Sequence, residues 1–275
     1  MQKLILACLA WAVPVGIVVL FWGRFPAIPE GVGVAVSVVG FFCLMFGTLA
    51  LMPNFNTGSG TLLFVACLAV WGLLLLLDRA GHLPWEIVGL VGTLNLIVAS
   101  GVVGRALATG VTRPAELVPV SLVAMAADLA SVTAGPTQKF AGILEHYYTG
   151  PMTGPPPVVD YVLIKIPVWG APYFMPLFGV SDLVLLVFLS AGAGKFKIND
   201  RFFNIPAAGL GLLVGVFLAH STSLFIPGMP LMVLFFLPVV LFQSVEARQL
   251  TTSDWVYSIV FPGIIIIGVS LFLLS

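Results

Sequence analysis

Charge is scarce in this chain. Lys, Arg, Asp and Glu make up only 8% of its 275 residues, eleven basic against eleven acidic. A soluble domain of this length could not cover itself with so few charges, so most of its surface must meet lipid. Formal net charge is zero and no basic block occurs, which excludes partners such as nucleic acid or an acidic surface. Cysteine is rarer still. Cys8, Cys43 and Cys67 each sit in an apolar run, at no thiolate metal spacing and in odd number, and read as buried free thiols. HExxH is missing, as is any His/Glu/Asp cluster at zinc-ligand spacing, so neither a metal-dependent hydrolase nor a metal site is expected. Ser181 is followed by no suitable base, which argues against a serine mechanism. His220 reads as a capping or interfacial group, and His82 and His146 fall in connections. Internal repeats are absent, as is any stretch polar enough to fold as a separate soluble domain. Nothing in the sequence calls for a cofactor.

What is present is apolar length. Hydrophobic residues are 60% of the chain and mean hydropathy is +1.15. A membrane-spanning helix needs about 20 apolar residues. That rule predicts nine spans: Leu4–Trp22, Gly31–Met52, Thr61–Leu77, Trp85–Val103, Pro114–Ala134, Tyr173–Ala193, Phe203–Phe225, Pro227–Val245 and Val256–Leu274. The run to Trp22 is long enough to be a retained helix rather than a cleaved leader. Turn chemistry separates the spans, as in PNFNTGSG, DRAGHLP and KINDRFF. The expected fold is an all-α polytopic membrane protein of about nine transmembrane helices. Residues 1–113 would form four N-terminal helices, and residues 114–275 the chemistry-bearing region. With the N-terminus inside, seven loop Lys and Arg residues fall on the inner side and four on the outer, which favours a cytoplasmic N-terminus. One connection, Gly135 to Ala171, is longer than the rest. Its stretch PVVDYVLIKIPV is β-branched and broken by Asp160 and Lys165, so it reads as a short strand or interfacial segment, or else as a loop.

Two acids lie inside apolar runs. Asp128 stands in MAADLASVTAGPTQKF, six residues, or about 9 Å, before the helix stop at Gly135-Pro136. Asp182 stands in GVSDLVLLVFLSAGAGKF, nine residues, or about 13 Å, into a helix expected to start at Tyr173. One connection joins the two helices, so both depths are measured from the same membrane face. Two close carboxylates share a proton; the ionised one can activate water while the protonated one polarises a carbonyl. An intramembrane acid pair also describes a proton or cation site in a transporter. A lone acid can equally be structural, bonded here to Ser131 or Thr133.

The surroundings add to this. ADLASV around Asp128, GVSD ending at Asp182 and PGMPLM opening the last-but-one span resemble, in that order, the GxGD intramembrane aspartyl proteases, the presenilin and signal peptide peptidase family. The separations, 54 residues from Asp128 to Asp182 and 48 on to Pro230, look similar to its shorter microbial members. The chain departs from the family's motifs at Ala127 (tyrosine), Ser181 (the second glycine), Leu231 (alanine) and Met232 (leucine), keeping only Pro230 of its PAL motif. The resemblance covers Pro114 to Val245. It implies a presenilin-like helical bundle in a microbe's cytoplasmic membrane, and Asp128 and Asp182 as catalytic residues. Gly179, Val180, Ser181, Pro230, Leu231 and Met232 would bind substrate. The partners would be a transmembrane peptide or protein substrate and the lipid bilayer. It also implies a strand beside substrate near Val159 to Ile166. An inactive, substrate-binding relative is the further alternative.

Overall fold

The computed structural model describes residues 2–21, 29–55, 57–150, 155–170, 173–222 and 226–274. About 81% of the described residues are helical. The elements run α1 (Gln2–Leu20), α2 (Glu30–Leu51), α3 (Thr57–Arg79), α4 (Trp85–Thr109), α5 (Leu117–Ala134), α6 (Pro136–Thr149), β1 (Leu163–Pro167), β2 (Phe174–Gly179), α7 (Val180–Lys195), α8 (Arg201–Thr222), α9 (Gly228–Gln243) and α10 (Thr252–Leu274). Among the described residues seven helices are long and apolar enough to cross a membrane, α1 to α5, α8 and α10, with α9 shorter but apolar. They suit an integral membrane protein. The expected span ends Trp22 and Phe225 lie outside the described residues, as do 151–154 and 171 of the long connection.

Two compact units divide the chain, Met1–Val103 with Met152–Val184, and Gly104–Pro151 with Leu185–Ser275. In the first, α1 and α2 pack on each other and on β1. Trp11 meets Phe41 edge to face at 5.0 Å, and Phe178 from β2 joins Phe41 and Phe42 at 6.3 and 5.8 Å. Ile164 and Ile166, two apart on β1, are fully buried, so one face of the hairpin is the seam to the helices.

The hairpin corrects two expectations. Tyr173–Ala193 is not one helix: Phe174–Gly179 is a strand paired antiparallel with β1, and the helix begins at Val180. Pro176 would cost a helix both a hydrogen bond and a steric clash, whereas opposite Lys165 in a short ladder it is tolerated. The long connection is not a bare loop either. It holds α6, a 3₁₀ turn over Val158–Val162 and then β1, so only the second half of the strand expected over Val159 to Ile166 is extended.

Polar groups pin this hairpin. Thr93 on α4 donates its hydroxyl to the Lys165 carbonyl at 3.0 Å and accepts the Lys165 N–H at 3.1 Å, closing the outer edge of β1 at that residue. The Lys165 ammonium pairs with Asp160, which is 1% exposed. The Trp71 indole donates to the Tyr161 carbonyl at 3.0 Å, and the Tyr161 hydroxyl donates to Asp78. Burial, followed by the Asp78 contact, raises the Tyr161 pKa well above the usual tyrosine value. Ser37 accepts the Trp169 N–H at 2.7 Å.

In the second unit α9 packs against α8 and α5, and α10 against α5. Gly211 makes the α8–α9 contact close, since a Cβ there would overlap the Leu231 carbonyl and crowd the Met232 nitrogen. Thr251 and Asp254 form a capping box at the start of α10: the carboxylate accepts the Thr251 N–H at 2.8 Å, and the Thr251 hydroxyl accepts the Asp254 N–H at 3.4 Å. The Arg113 guanidinium reaches both oxygens of the same carboxylate at 3.1 and 3.3 Å. Lys195 donates to the Thr109 and Val111 carbonyls at 2.9 and 2.6 Å, capping the end of α4.

Candidate functional site

α5 carries Asp128 between Ala126, Ala127 and Ala130, whose small side chains let neighbouring helices approach. The carboxylate is half-buried and accepts the Met229 N–H at 3.1 Å. That donor is one of the four main-chain N–H groups that the start of any helix leaves without an intrahelical partner. Pro227 holds the N-cap position of α9, with Gly228 and Met229 its first two residues. Asp128 therefore satisfies the head of α9, at the positive end of its dipole. The hydroxyls that might have made this acid purely structural bond elsewhere: Ser131 pairs with Thr137, and Thr133 donates to the Leu129 carbonyl at 2.8 Å.

Pro230 sits in the first turn of α9, where a missing N–H costs no helical bond. A proline at this position does not loosen the helix around it. Leu231 lies against Gly211, and Met232 has no exposed surface, so this part of the motif packs on α8 or into the core. The structure thus brings Asp128 to the PGMPLM stretch through a main-chain atom, and Pro230 is the next residue along.

Asp182 is the third residue of α7, not the tenth of a longer helix. Its carboxylate accepts the Gly179 N–H at 3.1 Å, the reciprocal half of a capping box, with Val180 and Ser181 filling the first turn between them. β2 ends at Gly179, so the strand runs straight into this acid. A Cβ at residue 179 would touch only the Ser181 hydroxyl at 3.4 Å and Asp182 Oδ2 at 3.6 Å, both ordinary contacts. Packing does not require a glycine there, unlike at Gly211. Ser181 is exposed, and Val180 and Asp182 are half-buried.

Asp128 belongs to the second compact unit and Asp182 to the first. Two participants were not anticipated. Met229 acts through its main chain, which no side-chain pattern reveals. Gly211 does leave a trace, since Gly211 and Gly215 are four residues apart on one helix face. Comparison with known proteins finds no family model, curated protein or solved structure that matches this chain.

Proposed function

We propose that this protein is a multi-pass intramembrane aspartyl protease of the GxGD type, with Asp128 and Asp182 as its two acids. The observation that carries this reading is the hydrogen bond from Met229, the residue before Pro230, to the Asp128 carboxylate. It ties the first acid to the third motif of the resemblance, at the head of a helix. Supporting it, an extended strand leads directly into Asp182 through a glycine that packing does not demand. Counting the 16-residue helices α7 and α9 as short spans beside the seven longer ones gives nine crossings. The cytoplasmic N-terminus and a microbial cytoplasmic membrane are part of the same proposal.

In the reaction one carboxylate is ionised and takes a proton from water as its oxygen attacks the peptide carbonyl carbon. The other, protonated, donates a hydrogen bond to the carbonyl oxygen. Collapse of the tetrahedral adduct breaks the C–N bond, the amine leaving with a proton from the acid. The substrate backbone must be extended for this. β1 has its outer edge closed by Thr93 at Lys165, so a substrate strand would add along β2. That moves the substrate-side strand from Val159–Ile166 to Phe174–Gly179.

The test is cleavage of a transmembrane peptide by purified protein in bicelles, with Asn and Ala at each acid. Asparagine keeps an oxygen that can accept the Gly179 or Met229 N–H but cannot serve as acid or base. The proposal expects wild type to cut and Asp128→Asn and Asp182→Asn to be folded and inactive. Cleavage that survives in either Asn variant would overturn the dyad. Proton flux in vesicles without a peptide product would point to transport, and peptide capture with neither product nor flux to an inactive relative.

A further inference from the structure

We propose that α6 is an interfacial helix whose apolar face lies at the boundary between lipid headgroups and acyl chains. Gly135 is the one residue between the end of α5, a membrane-spanning candidate, and the start of α6. A single residue spans at most about 3.6 Å, so α6 begins at the level where α5 leaves the membrane. Gly135 is extended (φ −108°, ψ −165°), and a Cβ there would lie 2.7 Å from Ser131 Cα and 2.9 Å from its carbonyl oxygen. The turn from one helix into the next is therefore built for glycine. At the far end a Cβ on Gly150 would lie 2.8 Å from the His146 carbonyl oxygen.

The 14 residues of α6 cover about 21 Å, short of the roughly 30 Å of a hydrocarbon core. Their pattern is two-sided. Phe140, Ile143, Leu144 and Tyr147 follow the i, i+3, i+4, i+7 spacing of one helix face, while Gln138, Glu145 and His146 occupy the opposite arc with Lys139 at its edge. Phe140 and Ile143 remain 45% and 49% exposed, although α6 packs against α5. A helix that is half apolar, too short to cross and fastened at the end of a span has the lipid boundary as the partner for its uncovered face. So placed, α6 holds the end of the Asp128 helix at a fixed height in the bilayer. That conclusion rests on the membrane reading of α5 and not on proteolysis.

Full-length protein in phosphatidylcholine–phosphatidylglycerol vesicles tests this, with Phe140→benzoylphenylalanine, Ile143→benzoylphenylalanine and Gln138→benzoylphenylalanine compared by intact mass after irradiation. Phospholipid adducts are expected at residues 140 and 143, and about fivefold fewer at 138. Crosslinks from 140 and 143 to another segment of the chain or to a second copy would overturn the proposal, as would equal lipid yields at all three positions. Wild-type protein provides a second measurement without substitution. Hydroxyl-radical labelling in the same vesicles should spare Phe140 and oxidise His146, and equal modification of the two would overturn it.

Discussion

Gly211 of α8 lies so close to Leu231 of α9 that a methyl group on it would overlap the Leu231 carbonyl. Two residues before Leu231, the Met229 N–H reaches Asp128. The spacing between α8 and α9 therefore sets where that donor stands. Gly211→Ala should force the helices apart and cost about 1–3 kcal/mol, read as a lower unfolding temperature in detergent. Gly179→Ala replaces a favoured N-cap residue without a packing clash and should cost no more than about 1 kcal/mol. On the protease reading it should still slow cleavage, because the methyl group occupies space beside Asp182.

Thr93 supplies both partners for the main chain of Lys165. Thr93→Val keeps the shape and removes them, which should cost about 1–3 kcal/mol. Thr93→Ser should retain most of the stability. Hydrogen exchange at the Lys165 amide provides the local readout: fast in the Val variant, slow in the Ser variant.

The Asp160–Lys165 pair is almost wholly buried, with side-chain exposures of 2% and 12%. Lys165→Met leaves a buried carboxylate without its cation and should cost about 3–5 kcal/mol. Replacing both, as Asp160→Leu with Lys165→Met, should recover much of that loss. Denaturation of the two single variants and the double variant decides it. A double variant as unstable as the sum of the singles would mean that the pair is not coupled.

Tyr161 binds its proton more tightly in the folded chain than an unfolded tyrosine does, because burial and Asp78 both disfavour the phenolate. Its contribution is fully present below the unfolded value of about pH 10, and is lost as pH rises through the higher folded value. Tyr161→Phe should therefore cost about 1–3 kcal/mol at neutral pH. The gap between wild type and variant should narrow at strongly alkaline pH. A gap independent of pH would assign the loss to packing.

Much of the helical layout was legible because apolar runs of span length are a coarse signal that survives ignorance of tertiary contacts. α2, α4 and α8 begin within two residues of the starts expected for their spans. The hairpin was half legible. β-branched residues marked β1, but Phe174–Gly179 is as apolar as a helix, and only Pro176 hinted otherwise. With β1 to pair with, that stretch becomes a strand, and the depth assigned to Asp182 falls with it. α6 was missed because its polar half broke the apolar run on which span counting depends. Asp128 and Asp182 stood out as rare charges, but the Met229 N–H that Asp128 accepts lies 101 residues away on the main chain, and the Gly179 N–H that Asp182 accepts follows only once the helix start is moved to Val180.

Asp254 is a nearly buried acid at the start of the last helix, and Arg113 lies 141 residues earlier in the chain. A nascent chain emerging residue by residue thus presents Arg113 to the membrane long before its counter-ion is synthesised. Glu116, three residues on at 3.3 Å, can hold the guanidinium in the interval. The last tie around α5 is therefore made late in biosynthesis, when α10 arrives and adds a long-range ion pair to the local one, Glu116 keeping its hold on the same guanidinium.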